Sequence, residues 1–429
     1  MTSKKIFLLL VVFITGCVLF SSGERDIWIH IFSIVAVAIA SSIVVKFDVY
    51  HPSCIYVSFF ALYSIGYAVI YYFDLVTRFG YSKEAMVCMW LAISLCTLLL
   101  PIQRKEMNIT FKNKSYQGYA HLLYYLSTLL SVLTYISLVY IIRSGFSGKG
   151  DIYTNGGIII NTICKMVYFN MMYITMYLFK MLIDHDKFRI KWFLFNISSV
   201  AIFGIVTGER DYLFHILLIA CLCFSLVNII KKTQIPLLLM AGLLLVTLTK
   251  SFKYVFLTGE GDLDFYTTNI VLSSIDGEFS SAGRNMQVLV AEHYYNYFEG
   301  RSLLIDLFRV FYDFGFSTIS WFNNVVLYDI HTGYGFTIVG EGYVNGGYWG
   351  IVLVISLTTL LIRYLYLKSS DSFYYLCVYI YMLPQFIYAT RADIAGFISP
   401  LVKHVLLAIF ILYILGKVFG KKKIKTSAF

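Results

Sequence analysis

Apolar residues follow one another along this chain in runs of membrane-spanning length, separated by short polar turns. Neither the two-residue alternation of a half-buried strand nor the one-sided stripe of a soluble helix governs them, and runs this long are the signature of transmembrane helices. The pattern predicts twelve spans, at about 5–22, 27–45, 53–73, 85–102, 118–142, 158–183, 192–207, 212–230, 235–252, 350–367, 372–389 and 396–419. Tight polar turns such as Gly23-Glu24-Arg25-Asp26 and Gly208-Glu209-Arg210-Asp211 join neighbouring runs. Pro400, Lys403 and His404 make the last span the least regular.

One long stretch breaks the rhythm. Residues 253–349 separate a first block of nine spans, 1–252, from a last block of three with a basic tail, 350–429. Helical periodicity persists inside it. Ser280 and Ser281 are N-cap candidates for a helix to about Phe298, with Met286, Leu289, Val290, Tyr294 and Tyr297 as its apolar side. Residues 301–314 form an amphipathic segment with Leu303, Leu304, Leu307, Phe308 and Phe311 on one face, suited to lie along a membrane surface. Residues 316–327 predict a third short helix with Trp321 and Phe322 as interface anchors, and 336–345 a short helix dipping toward the next span.

Composition agrees with lipid as the solvent. The chain has 429 residues, 59% of them hydrophobic and 14% charged, where a soluble domain carries roughly 25% charged residues. The net charge of +10 lies in short loops and in a terminal run of Lys421, Lys422, Lys423 and Lys425, which reads as an orientation signal and a contact to anionic headgroups rather than a nucleic-acid surface. With the N-terminus inside, the inner segments hold roughly 20 Lys and Arg and the short outer loops roughly 7. Twelve spans then put both termini in the cytoplasm and the long segment outside. The run from Lys4 to Cys17 is similar to a bacterial lipoprotein signal, but apolar residues continue past Cys17 and an uncleaved first span is the favoured reading. The eight cysteines lie in or beside apolar runs with no metal-binding spacing.

Three outer-face arginines are candidates for holding an anion: Arg210 in the turn between the seventh and eighth spans, Arg284 in the first loop helix, and Arg391 after the eleventh span. A guanidinium offers phosphate a fixed fork of donors and keeps its charge. The opposing reading pairs them locally, Arg210 with Glu209 or Asp211 and Arg391 with Asp393. Glu341, in the glycine- and aromatic-rich run from His331 to Gly350, is either a desolvated general base or a carboxylate at a helix N-terminus. Glu278, Asp276 and His331 are secondary candidates. Lys403 and His404 sit within the last span, where ionisable groups face a cavity or a partner. Tyr334, Tyr343, Tyr348 and Trp349 offer faces for stacking on sugar rings, or else form an interfacial belt. No nucleotide-phosphate loop, Ser–His–Asp arrangement or Asp-rich Mg²⁺ site is visible, so no metal or other cofactor is expected.

The run Gly333-Tyr334-Gly335-Phe336, then Glu341-Gly342-Tyr343-Val344-Asn345-Gly346-Gly347 and Gly350, resembles the G-x-G-F…E-x-Y-x-N-x-G…G pattern of Wzy-type bacterial O-antigen polysaccharide polymerases. Gly283-Arg284-Asn285 and the turn at Arg210 look similar to that family too. The resemblance implies an all-α, GT-C-like membrane enzyme of the bacterial inner membrane with one long periplasmic loop. It implies en bloc transfer of a glycan from undecaprenyl pyrophosphate to the next lipid-linked repeat unit, without metal, alongside a chain-length regulator. On that reading Arg210, Arg284 and Arg391 hold the pyrophosphate and Glu341 accepts the acceptor's proton, with Glu278 or His331 in reserve. Tyr334, Tyr343, Asn345, Trp349, Lys403 and His404 would contact substrate. An O-antigen ligase or a repeat-unit flippase would share the same plan.

Overall fold

The computed structural model describes residues 3–73, 79–103, 120–145, 152, 155–183, 190–207, 210–226, 228–242, 279–327 and 335–420, which form helices and connecting turns with no strand among them. In chain order the helices are α1 (Ser3–Ser21), α2 (Ile27–Val44), α3 (Ile55–Tyr72), α4 (Lys83–Leu99), α5 (Ala120–Arg143), α6 (Gly157–Ile183), α7 (Ile190–Thr207) and α8 (Arg210–Leu226). They continue with α9 (Ser280–Ala291), α10 (Arg301–Phe308), α11 (Thr318–Trp321), α12 (Ile338–Lys368), α13 (Phe373–Ala389), α14 (Ala395–Ser399) and α15 (Leu407–Gly420). A π-helical turn, Pro400–Leu406, joins the last two.

Among the described residues seven helices are long and apolar enough to cross a membrane: α1, α2, α3, α5, α6, α12 and the run Ala395–Val418. Helices α7, α8 and α13 hold shorter apolar stretches, Lys191–Thr207, Asp211–Leu226 and Phe373–Ala389, about 25 Å of helix against a hydrocarbon core of about 30 Å. Helix α4 is of the same length and starts with charges, Lys83 and Glu84. Most of the predicted ninth span, 235–252, lies outside the described residues.

The pattern of exposure is that of a protein solvated by lipid. On α2 the buried positions include His30, Ser33, Ser41 and Ser42, while Phe32 and Ile39 face outward. Polar groups turn inward because hydrocarbon offers them no partner, and outward Leu, Ile and Phe lose nothing there. The class is therefore a multi-pass helical membrane protein.

The described chain forms two compact units. In the second, Met107–Thr268 with Lys368–Pro384 and Pro400–Phe429, helices α5, α6 and α7 are stitched by a buried polar seam. Ser131 Oγ donates to Asn196 Oδ1 (2.6 Å), Asn170 Nδ2 donates to Ser131 Oγ (3.0 Å) and Ser199 Oγ donates to Ser131 Oγ (3.1 Å).

The first unit comprises Met1–Glu106, Asn269–Leu367 and Gln385–Ser399, so the described part of the long segment belongs with helices α1–α4. Ser82 caps α4 by accepting the Glu84 N–H (3.2 Å), and the Ser82 N–H donates to Gln287 Oε1 of α9 (2.6 Å). Helix α9 is shorter than the predicted 280–298 and is buried on most of its faces rather than along one apolar side. It meets α3 at Gly66, where a Cβ would stand 2.4 Å from the Phe279 carbonyl oxygen.

Helix α10 is amphipathic as expected, though shorter than 301–314. Ser302 and Asp306 are buried, whereas Leu304 and Phe308 are 58% and 54% exposed and Phe311, just beyond, is 74% exposed. Such a helix keeps its polar side on the protein and offers its apolar side to lipid. Trp321 and Phe322, expected as interface anchors, are instead buried. Trp321 packs against Tyr294, Tyr297 and Phe298 and Phe322 against Phe336, an aromatic cluster that buries both rings against protein.

Helix α12 contains the expected short helix followed by a span, divided by a break at Gly346 and Gly347. Gly347 has φ +57° and ψ −138°, and a Cβ there would meet the Tyr295 ring at 2.1 Å. A left-handed φ with no room for a side chain leaves glycine as the residue that fits.

Candidate functional site

The first unit gathers a buried charged cluster around the opening turn of α12. Its members are Asp306 and Arg309 at the end of α10, Asp393 in the turn before α14, and Glu341. The Arg309 guanidinium bridges two carboxylates: Nη2 donates to Asp393 Oδ2 at 2.6 Å, and Nη1 lies 3.4 Å from Asp306 Oδ1. Asp306 also accepts from the Thr318 N–H (3.2 Å) and from the Thr318 hydroxyl. Asp393 Oδ1 accepts from the Gly396 N–H (3.2 Å).

Glu341 is fully buried. One carboxylate oxygen, Oε2, accepts the Ile394 backbone N–H, while Oε1 has no hydrogen-bond partner among the described residues. Both sequence readings of Glu341 thus hold part of the description: it lies in the first turn of a helix, and it is desolvated.

Three buried carboxylates surround one guanidinium, which leaves an excess of two negative charges when all are ionised. Burial drives the Asp393 carboxyl up to about 6; the Arg309 charge and hydrogen bond oppose this, and the Asp306 charge adds to it. Burial likewise raises Asp306 above the ordinary carboxylate range, against the pull of Thr318 and Arg309.

A hydrogen-bond chain links two of the candidate arginines to the same region. The Arg284 guanidinium donates to Asn285 Oδ1 (3.4 Å), Asn285 Nδ2 donates to the Phe336 carbonyl (3.3 Å), and the Phe336 N–H donates to the Arg391 carbonyl (3.0 Å). Arg391 continues through the turn to Asp393 and Ile394, the partners of Arg309 and Glu341. Its own guanidinium lies over the Tyr388 ring at 4.9 Å. The local Arg391–Asp393 pairing open to the sequence is not formed, because Arg309 occupies the Asp393 carboxylate.

The other candidates fall elsewhere. Asn345 is buried, with Nδ2 donating to Ser302 Oγ (2.9 Å) and the Glu341 carbonyl (2.9 Å) and Oδ1 accepting the Leu303 N–H (3.2 Å). It fastens α10 to the first turn of α12. Tyr343 is buried and donates to Glu84 Oε1 (3.2 Å), as does Tyr348 (3.2 Å). Trp349 is 80% exposed on the surface of α12.

Arg210 opens α8 in the second unit, and its side chain lies outside the described residues, as do Asp276, Glu278, His331 and Tyr334 altogether. Lys403 and His404 also belong to the second unit, on the π-helical turn. Lys403 is exposed, and His404 stacks on Tyr168 (centroids 5.2 Å, planes 4° apart) with Nδ1 3.3 Å from the Tyr381 hydroxyl.

Asp306 and Arg309 were not singled out by the sequence reading. The available signal was their i, i+3 spacing on a segment otherwise rich in Leu and Phe. A charged pair there is either at the polar edge of a surface helix or turned inward.

No protein-family model matches the chain, and neither a curated protein nor a solved structure matches it.

Proposed function

We propose that this chain is a membrane glycosyltransferase that joins lipid-linked oligosaccharide repeat units, working at the periplasmic face of the bacterial inner membrane. The full architecture is then twelve spans with both termini cytoplasmic and a GT-C-like arrangement. The observation that carries the proposal is Glu341: a fully buried carboxylate with one oxygen held by Ile394 and the other without a protein partner among the described residues. It lies in the stretch from Gly333 to Gly350 that resembles the O-antigen polymerases.

In this reaction the acceptor hydroxyl of a new repeat unit attacks the anomeric carbon of the growing glycan. The bond from that carbon to the undecaprenyl pyrophosphate oxygen breaks, the pyrophosphate leaves with its electron pair, and the hydroxyl proton passes to Glu341. Arg284 and Arg391 balance the charge on the leaving pyrophosphate. The desolvated setting supports this role, since a carboxylate stripped of water is a stronger base than one in solution.

The test is complementation of the host's deletion strain with Glu341→Gln at normal expression. The expected lipopolysaccharide carries core with a single repeat unit and no ladder. A full ladder overturns the proposal.

A second reading is favoured by the excess of buried carboxylates at the start of a span, a frequent mark of proton-coupled transport. A repeat-unit flippase would move lipid-linked units across liposomes without joining them, and product analysis separates the two.

A further inference from the structure

The guanidinium of Arg309 stands between helix α10 and the turn that supplies the Glu341 carboxylate with its one hydrogen bond among the described residues. We propose that Arg309 is a positioning residue for Glu341, holding the 393–394 turn in register and setting the charge against which Glu341 exchanges its proton; this rests on Glu341 acting as the base.

The geometry is contiguous. Arg309 Nη2 grips Asp393 at 2.6 Å, and the next residue, Ile394, donates its N–H to Glu341 Oε2. On its other side Arg309 Nη1 lies 3.4 Å from Asp306, which Thr318 anchors through backbone and hydroxyl. The charged groups acting on Glu341 are Asp393 from the turn and Asp306 and Arg309 from α10. Arg309 is the one cation among them.

Removing Arg309 therefore does two things at once. It frees the turn carrying Ile394, and it leaves three carboxylates facing each other with no cation in the cluster. Both effects make an ionised Glu341 harder to reach. Removing the Asp393 charge instead, with the amide still able to accept from Arg309, makes it easier.

The experiment measures pH profiles of repeat-unit joining by the full-length protein in proteoliposomes, with lipid-linked repeat units from the host as substrate, for wild type, Arg309→Ala, Arg309→Lys, Asp393→Asn and Glu341→Gln. The rate rises with pH where the base loses its proton. Arg309→Ala is expected to move that rise to higher pH by about one unit, equivalent to a roughly tenfold lower rate on the acid side. Arg309→Lys recovers most of the shift, and Asp393→Asn moves the rise to lower pH. Opposite shifts cannot come from a general loss of folding, and Asp393→Asn provides the measurement if Arg309→Ala yields no folded protein. An unchanged profile in Arg309→Ala and Asp393→Asn, with Glu341→Gln inactive, overturns the role of Arg309 alone. Full activity in Glu341→Gln overturns the base assignment, and this inference with it.

Discussion

Single side chains in the first unit do work that their neighbours in sequence do not announce. Asn345 satisfies Ser302 Oγ, the Leu303 N–H and the Glu341 carbonyl in one buried position. Asn345→Ala leaves those groups unpaired and is expected to cost about 1–3 kcal/mol, seen as a lower thermal midpoint in detergent. Arg284→Ala and Arg391→Ala are expected to slow repeat-unit joining by about 10²–10³, the loss typical of removing one donor to a developing oxyanion, and to shorten or abolish the ladder. Asp393 gives stability a pH dependence of known sign. Its carboxyl holds its proton to about 6 in the folded chain, above the ordinary carboxylate value. The folded state thus binds more protons than the unfolded one between these values, and the stability this group contributes at low pH is lost as pH rises through about 6. Thermal midpoints measured across that window should fall with rising pH in wild type and fall less in Asp393→Asn.

At the scale of elements, α12 and α10 carry the arrangement. The break at Gly347 separates the segment holding Glu341 from the long apolar helix that follows. Gly347→Ala meets both a positive-φ conformation reserved for glycine, about 1–3 kcal/mol for a residue with a Cβ, and the Tyr295 ring at 2.1 Å. Adding Tyr295→Ala should return the steric share of the lost stability and leave the backbone share. Helix α10 keeps Asp306 and Ser302 inward and Leu304 and Phe308 outward. In reconstituted vesicles a nitroxide on Phe308→Cys is expected to collide freely with oxygen dissolved in lipid, and one on Ser302→Cys is not. Equal accessibility would remove the lipid-facing assignment of this helix.

For the molecule as a whole, lipid is the solvent that makes the exposure pattern intelligible. Buried Ser, Asn and His beside outward Phe, Ile and Leu would be a poor soluble protein and are the economical arrangement in a bilayer. The proposed orientation rests on where the Lys and Arg lie, and it is testable by fusion. A reporter active only outside the cytoplasm should be active when fused after Gly300 and inactive when fused after Asp371. The reverse result would turn the protein over and move the cluster around Glu341 to the cytoplasmic side.

The sequence alone determined the all-helical, multi-pass character and the division of α12 near Gly346, because a chain in hydrocarbon must satisfy its backbone locally and long apolar runs admit few alternatives. It also marked Glu341, Arg284 and Arg391 as chemically unusual for their surroundings. Tertiary structure decided which of two apolar faces meets protein, and so turned Trp321 and Phe322 inward. It also chose the partners of the charges. Asp393 lies two residues from Arg391 yet is held by Arg309, 84 positions away, and Tyr343 reaches back to Glu84. Periodicity records that a face is apolar or that a charge exists; it carries no term for what the folded chain brings opposite, and the energy of a buried charge lies almost wholly in that partner.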